Sequence, residues 1–501
     1  MIVAREIATL ANGAATARDD VPSVSWPEFR ATIIDSVAAD ARVSALFAHR
    51  PKPSRPAELY AVITHDADGR LQIVRTVLAG DQFPSLSIEC PQVQLFEREI
   101  AEQQGIIPVD HPWLKPVRFP RPKTGTQVPA IGAMEFYRVE GDAIHEVAVG
   151  PVHAGIIEPG HFRFQCYGEE VFHLEISLGY QYRGIERRLP SMPAGRRLRT
   201  MEIVAGDTTI GHASAYCHVV EGLSRSRVPA RAQVLRSIAM ELERLANHTG
   251  DLGALAGDVG FLPTASYCGR LRGDFLNLTA LCCGNRFGRG VMRPGGVGFD
   301  LEPPRIEEFS RRLAAIFRDL KSAVELLWDS PSVMARFEDT GTLNPVMARA
   351  QGLVGPPARA CGFSRDIRND LPLGVYCFNS VPVSTWHSGD VFARAYVRWL
   401  EIQQSVKFIQ DRLAALPGGP VQAAVKPLEP HRLIVALVEG WRGEICHVAM
   451  TDDKGCLEAY KIVDPSFHNW SGLAAALRGQ QISDFPLCNK SFNLSYCGHD
   501  L

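Results

Sequence analysis

Three long segments with one apolar stripe each limit what this chain of 501 residues can become. RAQVLRSIAMELERLANHTGDLGALAGDVGF, just after Val228, sets Leu235, Ile238, Leu242 and Leu245 on one helical face. EEFSRRLAAIFRDLKSAVELLWD and DVFARAYVRWLEIQQSVKFIQDRLAAL are two more such segments, each opening on acidic residues that suit a helix N-terminus. None of the three stripes can be buried alone, so the spacing predicts a side-by-side bundle. Strand signals flank it. ELYAVITHDADGRLQIVRTVL alternates on both sides of a DADG turn, and HRLIVALVEGWRGEICHVAMTDDKG reads as a second hairpin. Between them, PQVQLFEREIAEQQGII carries Val93, Phe96 and Ile100 at helical spacing. The expected class is therefore α+β. A small α/β domain over 1–125 is followed by a proline-rich linker from Pro120, and a large, mainly helical domain with peripheral strands fills 126–501. A cut within 120–132 is expected to leave a soluble N-terminal fragment, and SFNLSYCGHDL is expected to be a short extended tail.

Composition narrows the function classes. A formal net charge of −2 gives no global attraction to nucleic acid or anionic lipid. No window of 18 uninterrupted apolar residues exists, and Asn12 and Gly13 break the N-terminal apolar run, which predicts a cytosolic chain without a membrane span. Twelve cysteines are scattered with no CxxC pair, so the chain lacks the paired thiolates that most thiolate-bridged metal sites take from one turn.

The densest run of polar chemistry is Gly150 to Leu189, GPVHAGIIEPGHFRFQCYGEEVFHLEISLGYQYRGIERRL. It sets His153, Glu158 and His161 among strand-like apolar residues, turns at Tyr167-Gly168-Glu169 and ends in a basic run from Arg183 to Arg188. Polar groups in such surroundings are paired or costly, so the stretch is either a polar turn or a site.

GPVHAGIIEPGHFRF followed by GYQYRGIERRL resembles the opening of the large subunit of energy-converting nickel–iron hydrogenases of the formate hydrogenlyase and hydrogenase 4 type, and of the D subunit of respiratory complex I. Glu97 to Glu99 and His111-Pro112 resemble the complex I C subunit, so the whole chain is similar to a C–D fusion with an N-terminal docking domain. The resemblance implies a peripheral subunit on the cytoplasmic face of a membrane. Its partners would be an iron–sulfur small subunit carrying a 4Fe-4S cluster, similar to the complex I B subunit, and membrane-arm subunits of the antiporter and H-subunit type.

The family's nickel–iron cluster hangs on two CxxC pairs, and here the resemblance departs. Counting back from His212 in IGHASAYCH puts Ala205 and Thr208 at the first pair, and SYCGHDL offers Cys497 and Asp500 at the second. One thiolate of four cannot assemble that cluster, so nickel–iron is rejected, no metal ligand is assigned, and no cofactor is expected to be firmly bound. In complex I the corresponding cavity takes a quinone headgroup. Carried over, that reading assigns His153, His161, His212, Asp258, Cys497 and Asp500 to binding a quinone-like carrier, although Gly206 stands where the headgroup-binding tyrosine belongs. Glu158, His161, Asp258 and Arg442 are the candidates for proton and charge handling: EPGH resembles the proton-relaying glutamate of the hydrogenases, and Arg442 in GWRG resembles the arginine of their PRG motif. The implied function is electron transfer coupled to proton or ion translocation around a metal-free cavity. The alternative is a structural and coupling subunit, and an active hydrogenase ranks last. Arg365, Asp366 and Arg368 read as solvated or interfacial ion pairs.

Overall fold

The computed structural model describes residues 9–51, 54–121, 130–153, 155 and 157–501. Most of the expected linker lies outside them. The axis of the molecule is the helix Ala230–Asp258, whose sequence explains its length: Pro229 precedes its first turn, alanines and leucines fill it, and Gly257 and Gly260 bracket its end. Leu235, Ile238, Leu242, Leu245, Leu252 and Leu255 are buried, each worth roughly 1.5–3 kcal/mol relative to exposure. Around this helix stand Thr209–Leu223, Leu262–Cys283 and Val391–Ala414, with Pro303–Trp328 outside against Leu262–Cys283. The expected bundle is present, and Asp390 caps one of its long helices by accepting from Ala393 N.

Three antiparallel arrays surround the bundle. Arg42–His49, Glu58–His65 and Arg70–Val77 pair in sequence order, the last two as the expected hairpin. Ile144–Val149, His161–Tyr167 and Glu170–Ser177 form the second array. Arg432–Gly440 and Gly443–Thr451 form the other predicted hairpin, extended by Leu457–Val463.

The described N-terminal residues pack into a cluster that also takes in the C-terminal strands. Ala15–Ala17 adds to the edge of Arg432–Gly440, and one apolar cluster unites Phe47, Val62 and Phe96 with Leu433, Val448, Met450 and Phe467. Buried ions stitch the same seam: Arg42 pairs with Glu444 at 2.5 Å, and Lys461 reaches Glu99 at 2.6 Å. One apolar cluster and two ion pairs thus cross the division expected at 125. One expectation changes: the C-terminus is not an extended tail. Phe485–Phe492 and Tyr496–His499 are helical and the segment is buried, because Leu494, Tyr496 and Leu501 fill apolar clusters. Among the described residues no helix is long and apolar enough to cross a membrane.

Candidate functional site

The loop Val204–Thr208, the turn at Glu158–Gly160 and the C-terminal segment meet around Ala205, Thr208 and Cys497, which the sequence reading set against the cysteine pairs of the resembled family. Arg183 ties two of them together, donating to the carbonyls of Ile203, Val204 and Cys497. The approach of the third requires a glycine. A Cβ on Gly160 would stand 2.6 Å from the Tyr496 ring, so only Gly160 lets the Glu158 turn lie on Tyr496 and Cys497.

At this junction the Glu158 carboxylate lies beside the Cys497 thiol, and the sulfur stands 3.5 Å from the Ser495 hydroxyl. Burial, then the charge and hydrogen bond of Glu158, push the thiol up to about 11, so it stays protonated at neutral pH.

Arg442 stands in the tight turn of the C-terminal hairpin, yet it is buried. It forks onto both Asp207 oxygens at 2.5 and 2.7 Å, reaches Thr208 Oγ1 at 3.3 Å, donates to Asn493 O and lies over Trp441. The Asp207 side chain is 35% exposed, so the junction opens to the surface there. Asn493 donates to Asp251, which pairs with Arg398.

His212 is fully buried in the helix Thr209–Leu223. Its Nε2 faces Asp464 at 3.0 Å and its Nδ1 faces His447 Nε2 at 3.1 Å, while His447 Nδ1 meets the Tyr460 hydroxyl at 2.9 Å. Against the cost of burial, the hydrogen bond from His212 and the charge of Arg442 hold Asp464 below the usual carboxylate range. An ionised Asp464 only accepts, so His212 Nε2 carries a hydrogen toward it; with a neutral His212 ring, His447 donates to His212 and Tyr460 donates to His447. Asp464 abuts the Cys497 turn, since a Cβ on Gly498 would stand 2.7 Å from its carboxyl carbon.

The geometry therefore joins four of the expected residues, Glu158, Cys497, Arg442 and His212, and assigns the others elsewhere. Asp500 is turned inward: its carboxylate accepts from Gly179 N at 2.9 Å, Gln181 N at 3.0 Å and His499 Nδ1 at 3.0 Å, which spends it on holding backbone. His153 faces Gly160 O at 2.9 Å and His161 faces Gly150 O at 3.4 Å, so both rings brace their own turn. Asp258 ends its helix in an exposed position with Lys490 as its charged neighbour, and the interior aspartate of that helix is Asp251. Asp366 and Arg368 are not solvated but buried with Arg359 and Glu241, while the half-buried Arg365 pairs with Asp40 and Asp66 of the N-terminal stretch, as the interfacial reading expects.

Several site residues escaped the sequence reading. Asp464 carried a signal, a D-P-S run that opens the helix Pro465–Ala476. Asp207, Asp251 and His447 carried none, since each acquires its role from a partner more than a hundred residues away.

A nickel–iron cluster does not fit these donors. Ala205 has none, Thr208 offers a hydroxyl, Asp500 is consumed by backbone amides, and Cys497 is a protonated thiol beside a carboxylate. Among the described residues, no group of three or more His, Cys, Asp or Glu side chains could hold a metal ion.

The family described as "Respiratory-chain NADH dehydrogenase, 49 Kd subunit" matches residues 258–433. The chain is 30% identical to formate hydrogenlyase subunit 5 of Escherichia coli (strain K12) over 438 residues, 83% of this chain and 76% of that protein. It is 31% identical to the carbon monoxide-induced hydrogenase of Rhodospirillum rubrum over 350 residues, 70% of this chain and 97% of that one. It is also 31% identical to the D subunit of the NADH-quinone oxidoreductase of Clostridium beijerinckii over 343 residues, 67% of this chain and 91% of the relative.

Proposed function

The chain belongs to the large-subunit family shared by NADH-quinone oxidoreductase and the formate hydrogenlyase type of hydrogenase, and from that premise we propose that it serves a membrane-associated oxidoreductase as a nickel-free, proton-handling subunit. The observation that carries the proposal is the Cys497–Glu158 pair. Where the hydrogenases would place four thiolates, this chain sets one protonated thiol against one carboxylate, beside the Arg442–Asp207 fork and the histidine chain that ends on Asp464. These groups move protons and orient a polar headgroup; they do not hold a soft metal. A quinone-like carrier is the proposed ligand, with Arg442 and the Cys497–Glu158 pair facing its oxygens. Electron transfer would come from a 4Fe-4S cluster of an iron–sulfur partner. Coupling to ion translocation would need membrane-arm partners on the cytoplasmic side.

The test uses the assembled complex. Glu158→Gln keeps the shape of the side chain but cannot relay a proton, and it should slow turnover with a quinone acceptor by about 10²-fold or more while leaving assembly intact. Metal analysis of the purified chain should find nickel well below one atom per chain. Stoichiometric nickel would overturn the assignment.

A second reading, a structural and coupling subunit, is favoured by Asp500, His153 and His161, whose hydrogen bonds all go to backbone or to a neighbour in the same turn. Wild-type turnover in Glu158→Gln would select it.

A further inference from the structure

Behind the Arg442 hairpin lies a second, larger group of buried charges that the site above does not use. Four carboxylates, Glu241, Asp366, Glu401 and Glu439, share three guanidiniums, those of Arg244, Arg359 and Arg368, and all seven side chains are buried. His248 adds no charge: burial lowers its affinity for a second proton, its Nε2–H serves Glu401 and its Nδ1 has no hydrogen-bond partner. The neighbouring ions balance among themselves, Arg398 with Asp251, Arg236 with Glu221, and Arg42 and Arg365 with Glu444 and Asp66. Asp370, which accepts from Asp366 N at 2.7 Å, lies at the partly exposed edge of the cluster and adds only negative charge. Among the seven buried groups one carboxylate is therefore in surplus, and a buried surplus charge is strongly destabilising unless a proton holds it.

The partners single out which one. Glu401 takes Arg359 at 2.8 Å, His248 at 2.9 Å and Arg244 at 3.3 Å. Glu241 takes Arg368 at 3.0 Å, Arg244 at 3.1 Å and two hydroxyls, from Ser405 at 2.6 Å and Tyr376 at 2.7 Å. Asp366 has Arg368 at 2.6 Å and Arg359 at 3.6 Å. Glu439 has the least: Arg359 at 2.8 Å on one oxygen and the Ile367 N–H at 3.1 Å on the other. Glu439 also lines a cavity of about 530 Å³, together with Met240, Leu373, Val375, Tyr376 and Arg368. Burial and the charge of Asp366, opposed by Arg359 and Arg244, push its carboxyl up to about 7, in line with the count.

We propose that Glu439 is a proton-carrying site that exchanges through this cavity, and that the charge state at the Arg442–Asp207 end sets its proton affinity. A run of contacts, with one step along a helix, joins the two. Arg442 donates to Asn493 O, Asn493 to Asp251 and Arg398 to Asp251; Glu401 follows one turn along the same helix as Arg398, and Arg359 bridges Glu401 to Glu439. Arg244 clamps the same hairpin, donating to the carbonyls of Glu439 and Gly440. This proton site lies outside the proposed function and needs neither partner subunits nor turnover to be read.

Infrared spectroscopy of the full chain across neutral pH tests it. The wild type should show a protonated carboxyl band that is lost as pH rises through neutrality and is absent from Glu439→Gln. In Glu439→Asp the band should persist at a shifted frequency, which keeps the assignment readable if the glutamine variant folds poorly. Asp251→Asn leaves Arg398 uncompensated, so the midpoint of that band should fall by about one pH unit, a tenfold change in proton affinity. Identical bands in the wild type and Glu439→Gln would overturn the proton site. An unmoved midpoint in Asp251→Asn would overturn the link to the Arg442 end.

Discussion

Asp500 illustrates how position in a motif and use of a side chain part company. It occupies a ligand place in the resembled family, yet its oxygens hold the amides of Gly179 and Gln181. Asp500→Ala should cost about 1–3 kcal/mol in denaturant unfolding, the penalty of leaving buried donors unpaired; an unchanged midpoint would return the residue to a binding role. His468 makes the opposite case, a buried polar group that folding tolerates only in one protonation state. Burial, with the charge of Arg42, lowers it from 6.5 to about 3, and its Nε2 has no partner. The unfolded chain therefore binds the extra proton first, and stability present above pH 6.5 is lost as pH falls below it. By pH 5 this one residue should cost about 2 kcal/mol, and His468→Phe should remove that share of the acid sensitivity in urea titrations.

At the scale of elements, the site depends on how closely short segments approach one another. Gly355 opens the helix Gly355–Ala360 at φ +67°, and a Cβ there would stand 2.0 Å from Arg442 O and 2.6 Å from Gly443 Cα. The hairpin turn that aims Arg442 at Asp207 thus rests directly on this backbone. Gly355→Ala should destabilise the chain by about 3 kcal/mol or more, combining a strained φ with a backbone clash, and should loosen Arg442. Thermal unfolding measures the first effect. Turnover of the assembled complex measures the second, and a variant as stable as the wild type would show that the contact yields without cost.

For the whole molecule, the shared core decides what can be separated. The cluster that buries Val62 and Phe96 also needs Leu433, Val448, Met450 and Phe467, and Arg42 and Glu99 find their partners in the same C-terminal strands. A fragment of 1–125 would expose that apolar face and strand both ions. It should aggregate or unfold at lower temperature than the full chain, as light scattering and circular dichroism would record. A soluble, cooperatively folding fragment would restore the boundary as a true domain boundary.

The bundle, the two hairpins and the family were legible in the residues because each rests on local periodicity or on contiguous motifs: Leu235 to Leu245 for the central helix, DADG for the first turn, and GPVHAGIIEPGH for the relationship. The same reading named Glu158, Arg442, His212 and Cys497, since motif places survive even where ligands are lost. What it could not supply was pairing. Asp207 with Arg442, His212 with His447, Asp251 with Asn493 and the seven-membered cluster around Glu439 join residues remote in sequence, and a charge shows no sign in the chain of whether its partner will come. Burial decides such roles, because an ion removed from water keeps its charge only where the fold delivers a counterion, and that delivery is a property of tertiary structure alone.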